Sequence, residues 1–160
     1  MYAESMADSH GRVESINTSR GGVPKTPVLE ALVTSEGIAG DVQRDLRYHG
    51  GPDRAVSIYS LDLIAELQRQ GHPIAAGTAG ENLTVSGVDW SLVVPGREIQ
   101  AGPVRLAVTR YASPCEKIRQ SFADQDFTRI SQKVHPGWSR VYTRVIAAGT
   151  IRPGDPVHVL

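Results

Sequence analysis

The sequence predicts a mostly β fold, a barrel or sandwich of short strands with two or three short helices. Apolar runs are brief, and Gly and Pro punctuate them closely, with 16 glycines and 10 prolines in 160 residues. Helical periodicity is confined to a few stretches, fewer than the crossovers a parallel βαβ sheet would need. Neither an internal repeat nor a low-complexity tract interrupts this pattern.

Taken in order, residues 1–10 are polar and patternless and read as a frayed start, with one domain over 11–160. Val28 to Val33 is predicted as a strand, and Ala55 to Tyr59 as another, with Ala55, Val56 and Ile58 apolar. Ser60 is placed to cap a helix running through Gln70. Leu61, Ile64, Ala65 and Gln68 form one face, widened by Leu63 and Leu67, and Gly71 with Pro73 ends it. Leu83 and Val85 alternate with polar neighbours in a short strand closed by Ser86-Gly87. Ile99 and then Val104, Leu106 and Val108 mark two strands joined near Gly102-Pro103. A polar helix is expected over Asp124 to Lys133. The chain then returns to β structure: Val141 to Ala147, a turn at Gly149, and Val157 to Leu160.

Lys+Arg and Asp+Glu number 17 each, so the chain is formally neutral. A general nucleic-acid binder should carry a basic excess or stripe, so no nucleic-acid partner is expected. One cysteine excludes an intramolecular disulfide, no charged leader precedes an apolar run, and no segment is long enough to span a bilayer. The expected setting is cytoplasmic, without a membrane partner.

That cysteine, Cys115, stands in Ser113-Pro114-Cys115-Glu116, which reads as the first turn of a helix. Ser113 suits the cap, Pro114 the first helical position, and Glu116 can reach back to the cap. A thiol at the positive end of a helix favours the thiolate, the form that attacks, carries sulfur or binds a soft metal. Lys117 adds positive charge nearby. The alternative is a buried cysteine acting as a small hydrophobe.

Three further clusters bear on chemistry. Gly40-Asp41, Asp45 and His49-Gly50-Gly51-Pro52-Asp53-Arg54 form a polar loop before the strand at Ala55. Paired glycines let backbone N–H groups converge on an anion, His49 exchanges a proton near neutral pH, and Arg54 offers a fork for phosphate. Alternatively, these glycines only satisfy a tight loop. Glu81 and Asn82 stand at the mouth of a strand, where polar side chains line cavities, although Asn and Gly are also ordinary turn residues. Arg110, Lys117, Arg140 and Arg144 form a basic set. The even spacing of Arg140 and Arg144 would put them on one strand face, as a phosphate site or a solvated surface. The five histidines lack zinc spacing, and neither a Walker A loop nor a G-x-G-x-x-G fingerprint is present. A Cys–His hydrolase using Cys115 with His49 or His135 is conceivable from residue types but has no support in spacing.

These words, in this order, resemble the MOSC domain, named after the C-terminal part of molybdenum cofactor sulfurase, and in particular its stand-alone bacterial members. The resemblance runs from about Lys25 to the C-terminus. It rests on Gly40-Asp41, His49 to Val56, Gly80 to Gly87, Ser113-Pro114-Cys115, Gly137-Trp138, and Arg144-Val145-Ile146 through Gly149 and Gly154-Asp155. It implies a β-barrel of mixed strands with a few helices. It implies that Cys115 is the family's functional cysteine, either ligating molybdenum of the pterin cofactor (molybdopterin) in enzymes that reduce N-hydroxylated compounds, or carrying sulfur as a persulfide. In the first case Cys115 is the metal ligand, while His49, Glu81 and Asn82 shape the pocket and manage protons. Lys25, Gly50, Gly51, Arg54, Arg110 and Arg144 would hold the pterin phosphate, and Arg140 is the other candidate for Arg144's place. A small-molecule substrate and separate electron-transfer proteins are then expected. In the second case the partner is a sulfur donor such as a cysteine desulfurase, and the chemistry is metal-free sulfur transfer or carbon–sulfur chemistry. Relatives commonly carry Pro-Arg before Ser-Pro-Cys, where this chain has Tyr111-Ala112 and its arginine at Arg110.

Overall fold

A computed structural model describes residues 11–42 and 51–160. The expectations for residues 1–10, His49 and Gly50 lie outside the described residues. Eleven strands are present among the described residues: β1 (Arg12–Thr18), β2 (Thr26–Val28), β3 (Ala31–Thr34), β4 (Gly37–Ile38), β5 (Val56–Ser60), β6 (Leu83–Ser86), β7 (Glu98–Ala101), β8 (Val104–Tyr111), β9 (Val141–Ala147), β10 (Gly149–Ile151) and β11 (Val157–Val159). Among the described residues one α-helix, α1 (Leu61–Arg69), joins them, with short 3-10 turns at Pro52–Arg54, Trp90–Leu92, Glu116–Ser121 and Phe127–Ile130. The protein is mostly β with few helices, as its sequence predicts.

Eight strands form a mixed sheet in the order β11-β7-β8-β9-β5-β6-β1-β2, and β10-β3-β4 form a second, smaller sheet. The large sheet bends back on itself. Arg12 bridges Pro156, Val157 N–H donates to Gly11 O at 2.9 Å, and Val13 N–H donates to Asp155 O at 2.9 Å. β1 therefore meets the chain entering β11, six strands away along the sheet order. The one parallel ladder among the described residues, β5 with β6, requires a crossover, and α1 supplies it. β5 is buried at every position because it lies between β6 and β9 with apolar packing on both faces.

Two apolar clusters result. Val13, Ile16, Val56, Ile58, Leu83, Leu106 and Val141 belong to the sheet core. Tyr59, Ile64, Leu67, Ile74, Ile118, Phe122 and Ile130 pack where α1 and the later turns cover the sheet. α1 forms as its sequence suggests: Ser60 Oγ accepts from Leu63 N–H at 3.2 Å, and Ile64 with Leu67 point into the core.

Several elements differ from expectation for local reasons. The strand predicted over Val28 to Val33 is two strands in two sheets, separated at Leu29, which is 88% exposed, and Glu30. The turn at Cys115 starts later than expected. Cys115 itself is the cap residue, its side chain makes no cap hydrogen bond, and Glu116–Ser121 is 3-10. A three-residue period puts Ile118 and Ser121 on one buried face, which fits that tighter turn. Six residues of 3-10 helix bring little dipole to the thiol, so the electrostatic argument from a helix start does not apply. The helix expected over Asp124 to Lys133 shrinks to Phe127–Ile130, because Gln125 adopts φ 60° and breaks the helical path before Asp126 caps Thr128. Gly149 opens β10, paired with Val33, and is not itself a turn.

Replacing Ser60 by Ala leaves the N–H of Leu63 without its acceptor inside the fold. The expected loss is about 1 kcal/mol of unfolding free energy, read from the urea midpoint at unchanged slope.

Candidate functional site

One cleft gathers Cys115, Arg140, Lys25, Lys117 and the ring of Tyr142, with Val23, Val42, Ala79 and Ile118 as apolar wall. Each polar group arrives from a different part of the fold. Cys115 follows the end of β8: Ala112 is fully buried, its N–H donates to Arg140 O at 2.9 Å, and Ser113-Pro114 then lead the chain to a half-buried thiol.

Arg140 is 7% exposed and lies just before β9. Its Nη1 donates to Ala79 O at 2.7 Å and its Nη2 to Ala112 O at 3.4 Å. Its Nε is buried and has no partner among the described residues. No carboxylate is bonded to this guanidinium among the described residues. The preceding backbone is clamped by aromatic side chains. Tyr59 O–H donates to Trp138 O at 2.6 Å, and Trp90 Nε1–H donates to Ser139 O at 3.0 Å. Arg129 stacks over the Trp138 ring, 4.1 Å from its centroid. Burial pushes the Tyr59 hydroxyl well above the usual phenol range, so it remains a donor.

Lys25 is spoken for. Its Nζ lies 2.7 Å from both oxygens of Asp41, in a pair whose side chains are 9% and 3% exposed. Asn82, nearly fully buried, ties this pair to the strands. Its Nδ2 donates to Asp41 Oδ2 at 3.0 Å and to Asn17 O at 3.2 Å, and its Oδ1 accepts Ser57 N–H at 3.1 Å. Glu81 is also fully buried, and its Oε2 accepts from Gly77 N–H at 2.9 Å and Thr84 Oγ1 at 2.8 Å. Its Oε1 has no partner among the described residues, and burial raises its pKa above the ordinary carboxylate value. Gly77 has φ +85°, and a Cβ there would sit 2.4 Å from Lys25 O, so this turn requires glycine.

The sequence-predicted residues thus separate into groups. Cys115, Lys25 and Arg140 line the cleft. Glu81 and Asn82 are sealed behind its wall and do not line it. Arg144, half exposed, faces Asp53 at 3.9 Å, and Arg110 is exposed, so neither reaches the cleft. Arg54 lies 5.8 Å from the centroid of Tyr142, one layer behind the cleft, and Gly51 is an exposed residue capping the Pro52–Arg54 turn. Asp41, Ser57 and Tyr142 were not singled out as site residues. Gly40-Asp41 was a visible motif word, whereas nothing local marks Ser57 or Tyr142. Among the described residues no group of three or more His, Cys, Asp or Glu side chains is placed to hold a metal. No helix among them is long and apolar enough to cross a membrane.

The raised Glu81 group has a defined consequence for stability. Its native form keeps a proton over a pH range where the unfolded chain, titrating near 4.5, has lost it. Native protein binds more protons there, so this contribution to stability falls as pH rises above about 4.5. Glu81→Gln keeps an acceptor for Gly77 and Thr84 but cannot ionise. Its stability relative to wild type should climb between pH 4 and 8 in urea titrations; a pH-independent difference contradicts the assignment.

The MOSC domain model matches residues 45–158. The chain is 30% identical to YflK of Bacillus subtilis over 141 residues, 87% of this chain and 63% of that protein. It is 32% identical to YiiM of Escherichia coli over 136 residues, 82% of this chain and 59% of that protein. The crystal structure of YiiM from Geobacillus stearothermophilus matches with a TM-score of 0.69 at 27% identity, covering 94% of this chain and 75% of that one. This chain spans less than two thirds of the length of YflK and E. coli YiiM, and the family model covers most of the chain, Cys115 and Arg140 included: it belongs to the MOSC domain family.

Proposed function

We propose that the protein binds the molybdenum cofactor and reduces N-hydroxylated compounds, with Cys115 as the ligand of molybdenum. The observation that carries this reading is the meeting of the lone thiol with a buried guanidinium that is hydrogen-bonded to no carboxylate among the described residues. A thiolate is a soft donor suited to molybdenum, and a guanidinium Nε–H is suited to a phosphate oxygen. Val23, Ala79, Ile118 and Tyr142 provide apolar wall for a flat ring system. The donor set therefore fits the group.

Within this reading Arg140 anchors the phosphate through its unpartnered Nε, on a backbone held by Tyr59 and Trp90. Lys117, exposed beside Cys115, adds attraction for an anion. Cys115 is half-buried and lines the cleft. The cofactor, when bound, supplies the two-electron chemistry, and the protein supplies orientation and charge. His49 is proposed as the group that exchanges protons with substrate, and electrons come from separate proteins. The competing reading is metal-free sulfur transfer, in which the same thiol holds a persulfide delivered by a cysteine desulfurase.

Elemental analysis of protein from a host that makes the cofactor tests the choice. Wild type should hold near-stoichiometric molybdenum, and Cys115→Ser should lose it while keeping a wild-type circular dichroism spectrum. Molybdenum-free wild type with an added sulfur on Cys115, read by intact mass, would overturn the reductase reading in favour of sulfur transfer.

A further inference from the structure

We infer that Lys25, although it lines the cleft, does not hold the ligand: it is a positioning residue that locks Asp41 into the wall. The inference rests on the reading of this cleft as an anion site.

A carboxylate offers about four lone-pair sites, and those of Asp41 are all taken. Lys25 Nζ donates to Oδ1 and to Oδ2 at 2.7 Å each, Ser19 N–H donates to Oδ1 at 2.9 Å, and Asn82 Nδ2 donates to Oδ2 at 3.0 Å. The backbone on either side of this carboxylate is fixed as well. Asp41 N–H donates to Ile38 O at 3.1 Å, and Val42 N–H donates to Ser19 O at 2.8 Å. The excursion of the chain through β2, β3 and β4 thus delivers one acid to the one lysine it passes on the way.

Charges at this separation in a poorly solvated wall bind each other strongly, and separating them leaves a bare buried charge. An anion that approached the third N–H of this ammonium would also meet the negative charge of Asp41 beside it, and an ammonium that left Asp41 would bare that charge to the same anion. Arg140 is held differently: its bonds go to neutral carbonyls, and its buried Nε has no partner among the described residues. The pair Lys25–Asp41 contributes no net charge to the cleft, and selectivity for an anion falls to Arg140 and Lys117.

Three lysines occur in the chain, Lys25, Lys117 and Lys133, so each can be followed separately by peptide mass spectrometry. Reductive methylation of the intact protein should modify Lys25 at least tenfold more slowly than the exposed Lys133. That rate should be the same with and without inorganic phosphate. Lys25 reacting as fast as Lys133, or gaining protection from phosphate, overturns the inference. A second set of variants reads phosphate affinity by calorimetry. Lys25→Met should weaken binding at least tenfold by baring Asp41, and Lys25→Met/Asp41→Leu should restore it to within threefold of wild type. A double variant as weak as the single one shows that Lys25 held the anion, and the inference fails. Phosphate that binds Arg140→Met as well as wild type instead rejects the anion-site reading, and the methylation rates still decide the role of Lys25.

Discussion

A guanidinium charge placed where water hardly reaches is the constraint on which the cleft depends. The fold meets it with carbonyl groups in place of an acid. Ala79 O comes from the turn that precedes β6, and Ala112 O from the end of β8. Both are neutral, so the positive charge of Arg140 stays available to whatever enters. Tyr59 and Trp90 fix the carbonyls of Trp138 and Ser139, which leaves the segment before β9 little freedom to withdraw the arginine.

The words Gly80-Glu81-Asn82 serve this arrangement from behind. Asn82 bonds to β1, to β5 and to Asp41, while Glu81 pins the Gly77 turn to Thr84 on β6. A mixed sheet has few backbone groups to spare where a parallel and an antiparallel ladder meet, and these two side chains satisfy them there. Their burial makes them part of the frame that presents Ala79 O, and keeps them from direct contact with a ligand in the cleft. A buried carboxyl held against Gly77 also couples this frame to pH.

Much of this was legible before folding. Short apolar runs between turn residues marked β5, β6, β7, β8 and β9, and the Ser60 cap and apolar face of α1 are as the sequence suggests. What escaped has specific causes. Arg140 and Arg144 were placed on one face by strand parity, but β9 begins at Val141, so Arg140 lies outside the pleat and parity does not govern it. Arg110 follows a register shift between β8 and β9, and it is exposed outside the cleft, although the family words put an arginine near Ser-Pro-Cys. Lys25 reads as a ligand-holding cation because its partner Asp41 lies 16 residues away, beyond any local pattern. Cys115 lines the cleft at the start of a 3-10 turn, so the helix start read from Ser113-Pro114-Cys115-Glu116 is not what the fold provides there.

The central claim is that the cleft receives an anion at Arg140. The direct measurement is the change in thermal midpoint of wild type and Arg140→Met across a titration of inorganic phosphate at constant ionic strength. A ligand bound only by the native state raises the midpoint with the logarithm of its concentration once saturating. The account predicts such a rise for wild type and none for Arg140→Met. Equal rises in the two proteins would contradict it.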